Sequence, residues 1–174
     1  MKLGLNVGSG ERRFTTVPDV IRWINVDVVS REGHEPDIVG DGAHIPRADA
    51  STDYYVLHQV LEHAGLGDGD DMIREAWRVL KPGGSLLIFI PNIQALAQRW
   101  FAGEISDYIY VVNLMGAYHG EETDRHRWHY THRSLAKMLT DCAPWRVIKP
   151  FDWRSIPGMY PARDWWVLDC EAVK

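Results

Sequence analysis

Two cysteines, Cys142 and Cys170, are all the thiols in 174 residues, and they form no close pair. That is too few for a disulfide scaffold, so both are expected to be plain reduced residues of an intracellular domain. Long apolar runs are also missing. The best of them, Leu86–Ile90, is the length of a strand and falls far short of a bilayer span. Asn6 and Gly8 interrupt any signal-peptide core behind Lys2, and a cytoplasmic protein is expected. Positive charge is in short supply: 19 Lys and Arg face 24 Asp and Glu, a formal net charge of −5. A broad phosphate-binding surface needs the opposite balance, so nucleic acid is disfavoured as a partner. No internal repeat, low-complexity tract or linker divides the chain. With 45% hydrophobic residues, residues 1–174 read as one domain large enough to bury a core.

The pattern along the chain alternates short apolar runs with helical or irregular connections. Residues 3–7, Trp23–Val28, Ile38–Val39, Tyr54–Leu57 and Ser85–Ile90 read as five strands. Asp70–Leu80 has helical spacing, with Met72, Ile73, Ala76, Trp77 and Leu80 on one face. Lys81-Pro82-Gly83-Gly84 then ends the helix and turns the chain, a structural role needing no chemistry. Thr131 suits the N-cap of a helix that runs to Cys142 and is closed by Pro144. Arg146–Ile148 and Trp165–Ala172 read as two final strands. Continuous apolar runs joined by crossovers predict an α/β fold, Rossmann-like, with a mostly parallel sheet and helices on both faces. In such sheets ligands bind beyond the carboxyl ends of the strands.

Leu5-Asn6-Val7-Gly8-Ser9-Gly10 places two glycines at such an end. A dinucleotide site would need a third glycine and a helix N-terminus facing a pyrophosphate. Arg13 stands where that third glycine belongs. Only residues 11–22 separate Gly10 from Trp23, and they include Thr15, Thr16 and Pro18. A full helix hardly fits, so a ligand with one ribose and no pyrophosphate suits the loop better. Asp27, nineteen positions after Gly8, is placed to accept from both ribose hydroxyls. Asp41 can accept from an adenine amino group while the backbone of Gly42 and Ala43 meets the ring nitrogens. Taken singly, Asp27 reads equally well as a turn former and Asp41 as a loop cap. Their order at the ends of successive strands favours the ligand.

LNVGSG, WINVD, DIVGDGAHIP, TDYYVLHQVLEH and WRVLKPGGSLLIFIPN together resemble the successive motifs of class I S-adenosylmethionine-dependent methyltransferases. The resemblance is to the compact group with a shortened first crossover. It covers residues 3–92 well and 126–142 more loosely. It implies a seven-stranded sheet whose last strand is antiparallel, and S-adenosylmethionine as cofactor, with S-adenosylhomocysteine as product. By this resemblance Gly8 and Gly10, with Ser9 between them, face the methionine end of the cofactor. Asp27, with Val28 beside it, takes the ribose, and Asp41, Gly42 and Ala43 the adenine. Leu57 and His58 lie along the cofactor near its sulfonium. Asn6 occupies a position where an acid commonly orders the cofactor amine.

Methyl transfer asks the enzyme to align a nucleophile and to remove its proton, a task suited to histidine. His58 is expected at the carboxyl edge of the fourth strand. Glu62-His63 follows on the same edge, and His119, His126, His129 and His132 gather ahead of the last helix. His58, His63 and His126 are the candidate catalytic residues; packing or loop-holding hydrogen bonds are the competing roles. Some methyltransferases of RNA or phenolic hydroxyls bind a divalent ion through Glu-x-x-Glu-His and a further His. Here the stretch is Gln59-x-x-Glu62-His63, one acid has become an amide, and no metal is expected. Residues 93–130 form an insertion on the substrate side, with Trp100, Phe101, Tyr108, Tyr110 and Tyr118 among charged residues. Aromatic rings mixed with charge suit a small polar acceptor, though they serve core packing or a dimer surface equally well. The expected activity is methyl transfer to a hydroxyl or amine of a small molecule or glycan. A non-catalytic cofactor-binding module and an RNA methyltransferase with a His-rich metal site are the alternatives.

Overall fold

Seven strands lie in one sheet in the order β3-β2-β1-β4-β5-β7-β6, and β7 runs antiparallel to both of its neighbours while the other pairings are parallel. The computed structural model describes residues 1–65, 67–117, 122–151, 155–159 and 167–174. Along the chain, β1 is Lys2–Val7, β2 Ile21–Asp27, β3 Ile38–Val39 and β4 Thr52–His58. Then follow α1 (Asp68–Val79), β5 (Leu80–Pro91), α2 (Ile93–Phe101), α3 (Asp107–Met115), α4 (His132–Cys142), β6 (Val147–Lys149) and β7 (Val167–Val173). The fourth strand extends one residue past Leu57 to include His58. The final strand starts at Val167, because Trp165 and Trp166 lie outside the described residues, as do Tyr118 and His119. The expected turn at Lys81–Gly84 forms the irregular start of β5, with Gly83 at φ +81°. No described helix is long and apolar enough to cross a membrane.

Strand alternation sorts the core into two layers. Leu5, Val7, Ile24, Val26, Tyr55, Leu57, Leu86 and Ile88 face one side, where Ile73, Ala76 and Val79 of α1 and Leu135 and Leu139 of α4 cover them. The expected helical cover is found on this face. On the other side, Trp23, Val56, Leu87 and Phe89 pack under Phe14, Phe151, Ile156 and Met159, which come from irregular segments. Gly4 has its reason here: a Cβ would lie 2.3 Å from the Trp23 ring. The indole crosses β1 at that point, edge-on to Phe14.

The short first crossover explains this layer. Residues 8–20 contain no helix, so a polar ladder fixes them instead of helical packing. The Asn25 side chain, 3% exposed, accepts from the Phe14 N–H at 2.8 Å and from the Asn6 amide at 3.0 Å. It donates to the Phe14 carbonyl at 3.2 Å and to Asp37 at 3.1 Å. Asn6 also donates to the Arg12 carbonyl at 2.9 Å. Buried amides are favourable only when paired, and an orphaned partner costs about 1–3 kcal/mol. Asn25→Ala strands the Phe14 N–H and halves the bonding of Asn6. It should lower unfolding free energy by about 2–4 kcal/mol in urea titrations; a loss below about 0.5 kcal/mol would show that the ladder carries little.

Candidate active site

The glycine loop is tied to β2 through Asp27. Gly8 and Gly10 have φ of +68° and +45°, which side chains rarely adopt. Gly8 has a second reason, since a Cβ would lie 2.3 Å from the Val60 side chain. The Ser9 N–H donates to the Val26 carbonyl at 3.0 Å. The Gly10 N–H donates to Asp27 Oδ2 at 2.7 Å, and the Val29 N–H to Oδ1 at 2.9 Å. The carboxylate is 8% exposed and keeps one acceptor position on each oxygen. Ser9 Oγ is buried without a hydrogen-bond partner among the described residues.

A cavity of about 510 Å³ opens beyond these strand ends. Gly8, Gly10, Asp27, Val28, Asp41, Gly42 and Ala43 all line it. Val28 is 56% exposed there. Asp41 turns back to accept from the Ala43 N–H at 2.9 Å, the local cap that competes with a ligand role. Its outer oxygen remains for a ligand. The buried Gly42 carbonyl accepts from the Tyr55 hydroxyl at 2.5 Å. The adenine-side loop is thereby pinned to the core, and a Cβ at Gly42 would meet Val7 at 2.8 Å.

Besides Ser9, which lies in the glycine loop but off the cavity wall, three expected cofactor residues sit elsewhere. Asn6, 1% exposed, is committed to the ladder under the crossover. Leu57 is packed in the helix-covered core. His58 lies on the opposite face of β4, 6% exposed, with its ring 5.6 Å from that of Phe89. None of the three lines the cavity. Period-two alternation is the reason, since residues 56 and 58 face away from 55 and 57. The cavity wall is instead continued by Gln59, Val60, His63 and Met72, and by Arg127 from the far end of the 93–130 insertion. Gln59 adopts φ +57° and turns its amide to the Phe89 carbonyl at 3.3 Å. Such a backbone at a strand end is unreadable from residue type.

Glu62 and His63 sit on a 3₁₀ turn, Leu61–His63, that follows β4. The Glu62 carbonyl accepts from the N–H groups of Arg127 and Trp128 at 2.8 and 3.1 Å. These bonds draw the segment before α4 onto the turn and bring His126 against His63, ring centroids 4.8 Å apart. His129 lies 5.8 Å beyond His126. Glu62 is fully buried, and neither carboxylate oxygen has a hydrogen-bond partner among the described residues. Burial pushes its carboxyl up to about 8, with the nearby Val60 and Glu62 N–H groups opposing. Burial lowers His63, against the carbonyls of Arg125 and Thr123 and the charge of Asp124. Burial and the neighbouring His63 take His126 down to about 4.

Burial, reinforced by the Arg12 charge, also lowers His58 from 6.5 to about 4. Between those values the unfolded chain binds a proton that the folded chain refuses. Stability is therefore full above about pH 6.5 and is lost as pH falls toward about 4. At 1.36 kcal/mol per unit the loss is roughly 3 kcal/mol. His58→Leu should flatten this acid limb by that order, read as unfolding free energy at pH 7 and pH 4.5; an unchanged limb would show that His58 titrates normally. His126 shifts the same way, so part of the limb should remain.

The chain is similar to known proteins in part of its sequence and in its fold. Residues 5–88 match the methyltransferase domain family. A 53-residue stretch is 45% identical to a probable S-adenosylmethionine-dependent methyltransferase of Mycolicibacterium smegmatis, covering 30% of this chain and 20% of the relative. That match thus spans about a fifth of the relative's length. Among solved structures, a SAM-dependent methyltransferase, possible histamine N-methyltransferase, of Thermotoga maritima superposes with a TM-score of 0.63 at 17% identity, over 100% of this chain and 83% of that one. The 1,6-didemethyltoxoflavin-N1-methyltransferase of Burkholderia thailandensis, with 1,6-didemethyltoxoflavin and S-adenosylhomocysteine bound, gives 0.59 at 16% identity, over 99% and 71%. At these identities the likeness is one of fold. The sheet order, the glycine loop with its Asp27 clamp and the match over residues 5–88 agree, and in fold the chain is similar to S-adenosylmethionine-dependent methyltransferases.

Proposed function

We propose that this protein transfers a methyl group from S-adenosylmethionine to a hydroxyl or amine of a small molecule or glycan. The observation that carries the reading is the joint lining of one cavity by Gly8, Gly10, Asp27 and Asp41. The residues fit that cofactor. Positive-φ glycines let it lie against the backbone, the unpartnered Ser9 Oγ sits in the same loop, and Asp27 holds acceptor positions for ribose hydroxyls. When bound, S-adenosylmethionine supplies a methyl group already activated by positive sulfur.

The protein's own work is then alignment, exclusion of water and removal of a proton. Asp27 and Asp41 would fix the two ends of the nucleoside. His63 lines the cavity beyond Val60, and we assign the acceptor to that end. His58 is a poor proton acceptor there: it is buried on the other face of β4 and remains neutral well below physiological pH. Residues 93–130, with Trp100 stacked on Tyr110 at 4.6 Å, would cover the acceptor side. A small acceptor also suits the net charge of −5, whereas an RNA substrate would meet repulsion. The toxoflavin-type substrate of the Burkholderia relative is of the same small-molecule class.

Calorimetry should show S-adenosylhomocysteine binding at about 1–100 μM and negligible binding of NAD, whose pyrophosphate has no helix N-terminus to meet. Asp27→Ala should cost roughly 2–4 kcal/mol of that affinity, since it removes ribose acceptors and also frees the Gly10 N–H. A folded Asp27→Ala protein with unchanged affinity would place the ribose elsewhere. Equal binding of both ligands would overturn the cofactor assignment.

A further inference from the structure

Glu62, His63 and His126 each offer a ligand atom within 4.8 Å of the others. The sequence reading expected no metal because Gln59 stands where an acid would complete a set. In the structure Gln59 is indeed out of the set, turned to the Phe89 carbonyl. The segment before α4 supplies the further His, and the first acid has no substitute in the group. The two N–H bonds to the Glu62 carbonyl hold His126 across from His63, a juxtaposition of residues 63 positions apart that no local motif encodes.

Three observations make this more than a chance grouping. First, Glu62 is fully buried with both carboxylate oxygens unpartnered among the described residues. A buried acid normally takes hydrogen bonds or a counter-ion, and among the described residues only the nearby Val60 and Glu62 N–H groups act on this one, neither in hydrogen-bond geometry. Second, each imidazole is already held by a backbone carbonyl. His63 Nδ1 meets the Arg125 carbonyl at 3.2 Å, and His126 Nδ1 meets that of Asn113 at 2.9 Å. A carbonyl only accepts, so Nδ1 carries the proton in these bonds, which leaves Nε2 of His126 its lone pair, the outer-shell arrangement of metal-bound histidines; His63 also faces the Thr123 carbonyl. Third, the ligand types are two imidazoles and one carboxylate, the donor set of catalytic zinc sites and of other first-row ions that keep a position open. Bonds of about 2.0–2.2 Å put tetrahedral ligands roughly 3.4 Å apart. The ligand atoms, at most 4.8 Å apart, would close by about 1.4 Å to reach that distance.

We propose that Glu62, His63 and His126 bind a divalent transition-metal ion, zinc foremost, with at least one coordination position left open at the acceptor end of the cavity. Binding stands on this geometry alone. Its purpose rests on the methyl-transfer reading: an acceptor hydroxyl entering the open position would lose its proton more readily, as metal-bound water does.

The test uses the full-length protein stripped with a chelator and dialysed, then titrated separately with Co²⁺ and Zn²⁺. One equivalent of Co²⁺ should give the visible absorption of a four- or five-coordinate nitrogen–oxygen site, and Zn²⁺ should displace it. Glu62→Gln, His63→Ala and His126→Gln should each weaken uptake at least about a hundredfold, since even outer-shell losses cost about 10–100-fold. His63 lies on the cavity wall, so folding is judged by thermal unfolding, and cofactor-site integrity by S-adenosylhomocysteine binding in the Glu62 and His126 variants. Retained S-adenosylhomocysteine affinity with lost metal separates this proposal from the cofactor reading. Absence of stoichiometric uptake by the wild type would overturn it, as would unchanged uptake in folded Glu62→Gln and His126→Gln proteins.

Discussion

Asn25 is the point on which the front of this molecule turns. A Rossmann-like sheet normally seats its glycine loop with a helix, and here twelve residues between Gly10 and Trp23 leave no room for one. The buried Asn25 side chain replaces that support by bonding Phe14 on both its N–H and its carbonyl, and by holding Asn6. The chain can then pass over the sheet as an irregular strap, with Phe14 set against Trp23. Above the strap, Asp27 ties Gly10 to the end of β2. The ladder and the clamp lie on successive same-face positions of one strand, the buried 25 and 27. A single alternation in β2 therefore both secures the crossover and presents the carboxylate to the cavity.

The same constraint changes what Asn6 means. In the sequence it reads as a weakened contact to the cofactor amine. In the structure its amide is spent on Arg12 and Asn25, and an ionised acid in that position would need a donor where Asn25 presents its own oxygen. The substitution fits the shortened crossover, because an amide can donate to two carbonyl-type oxygens at once.

Most of the fold was legible because it depends on local signals. Leu86–Ile90 is apolar on both faces, as a central strand requires, and Leu3, Leu5 and Val7 are apolar on one. Thr131 caps α4 through Ser134 as its residue type suggests. Gly8, Gly10, Asp27, Val28, Asp41, Gly42 and Ala43 reach one cavity because they all follow strand ends, where a topological rule concentrates ligands. Leu57 and His58 do not line that cavity, for a subtler reason. Which face of β4 looks toward the site depends on twist and on the helix that follows, and one position of slip exchanges core for cavity. The positive φ of Gln59 and the meeting of His63 with His126 were beyond reach, since both are set by contacts across long sequence separations.

The central claim is that a nucleoside with one ribose lies across the carboxyl ends of β1 and β2, against the glycine loop. Amide chemical shifts of ¹⁵N-labelled protein, followed during titration with S-adenosylhomocysteine, test it most directly. The account predicts the largest shifts at Gly8, Ser9, Gly10, Val29, Gly42 and Ala43, with Asp27 at the centre of the perturbed surface. Saturable shifts confined to α3 or β6, with the glycine loop unmoved, would contradict it.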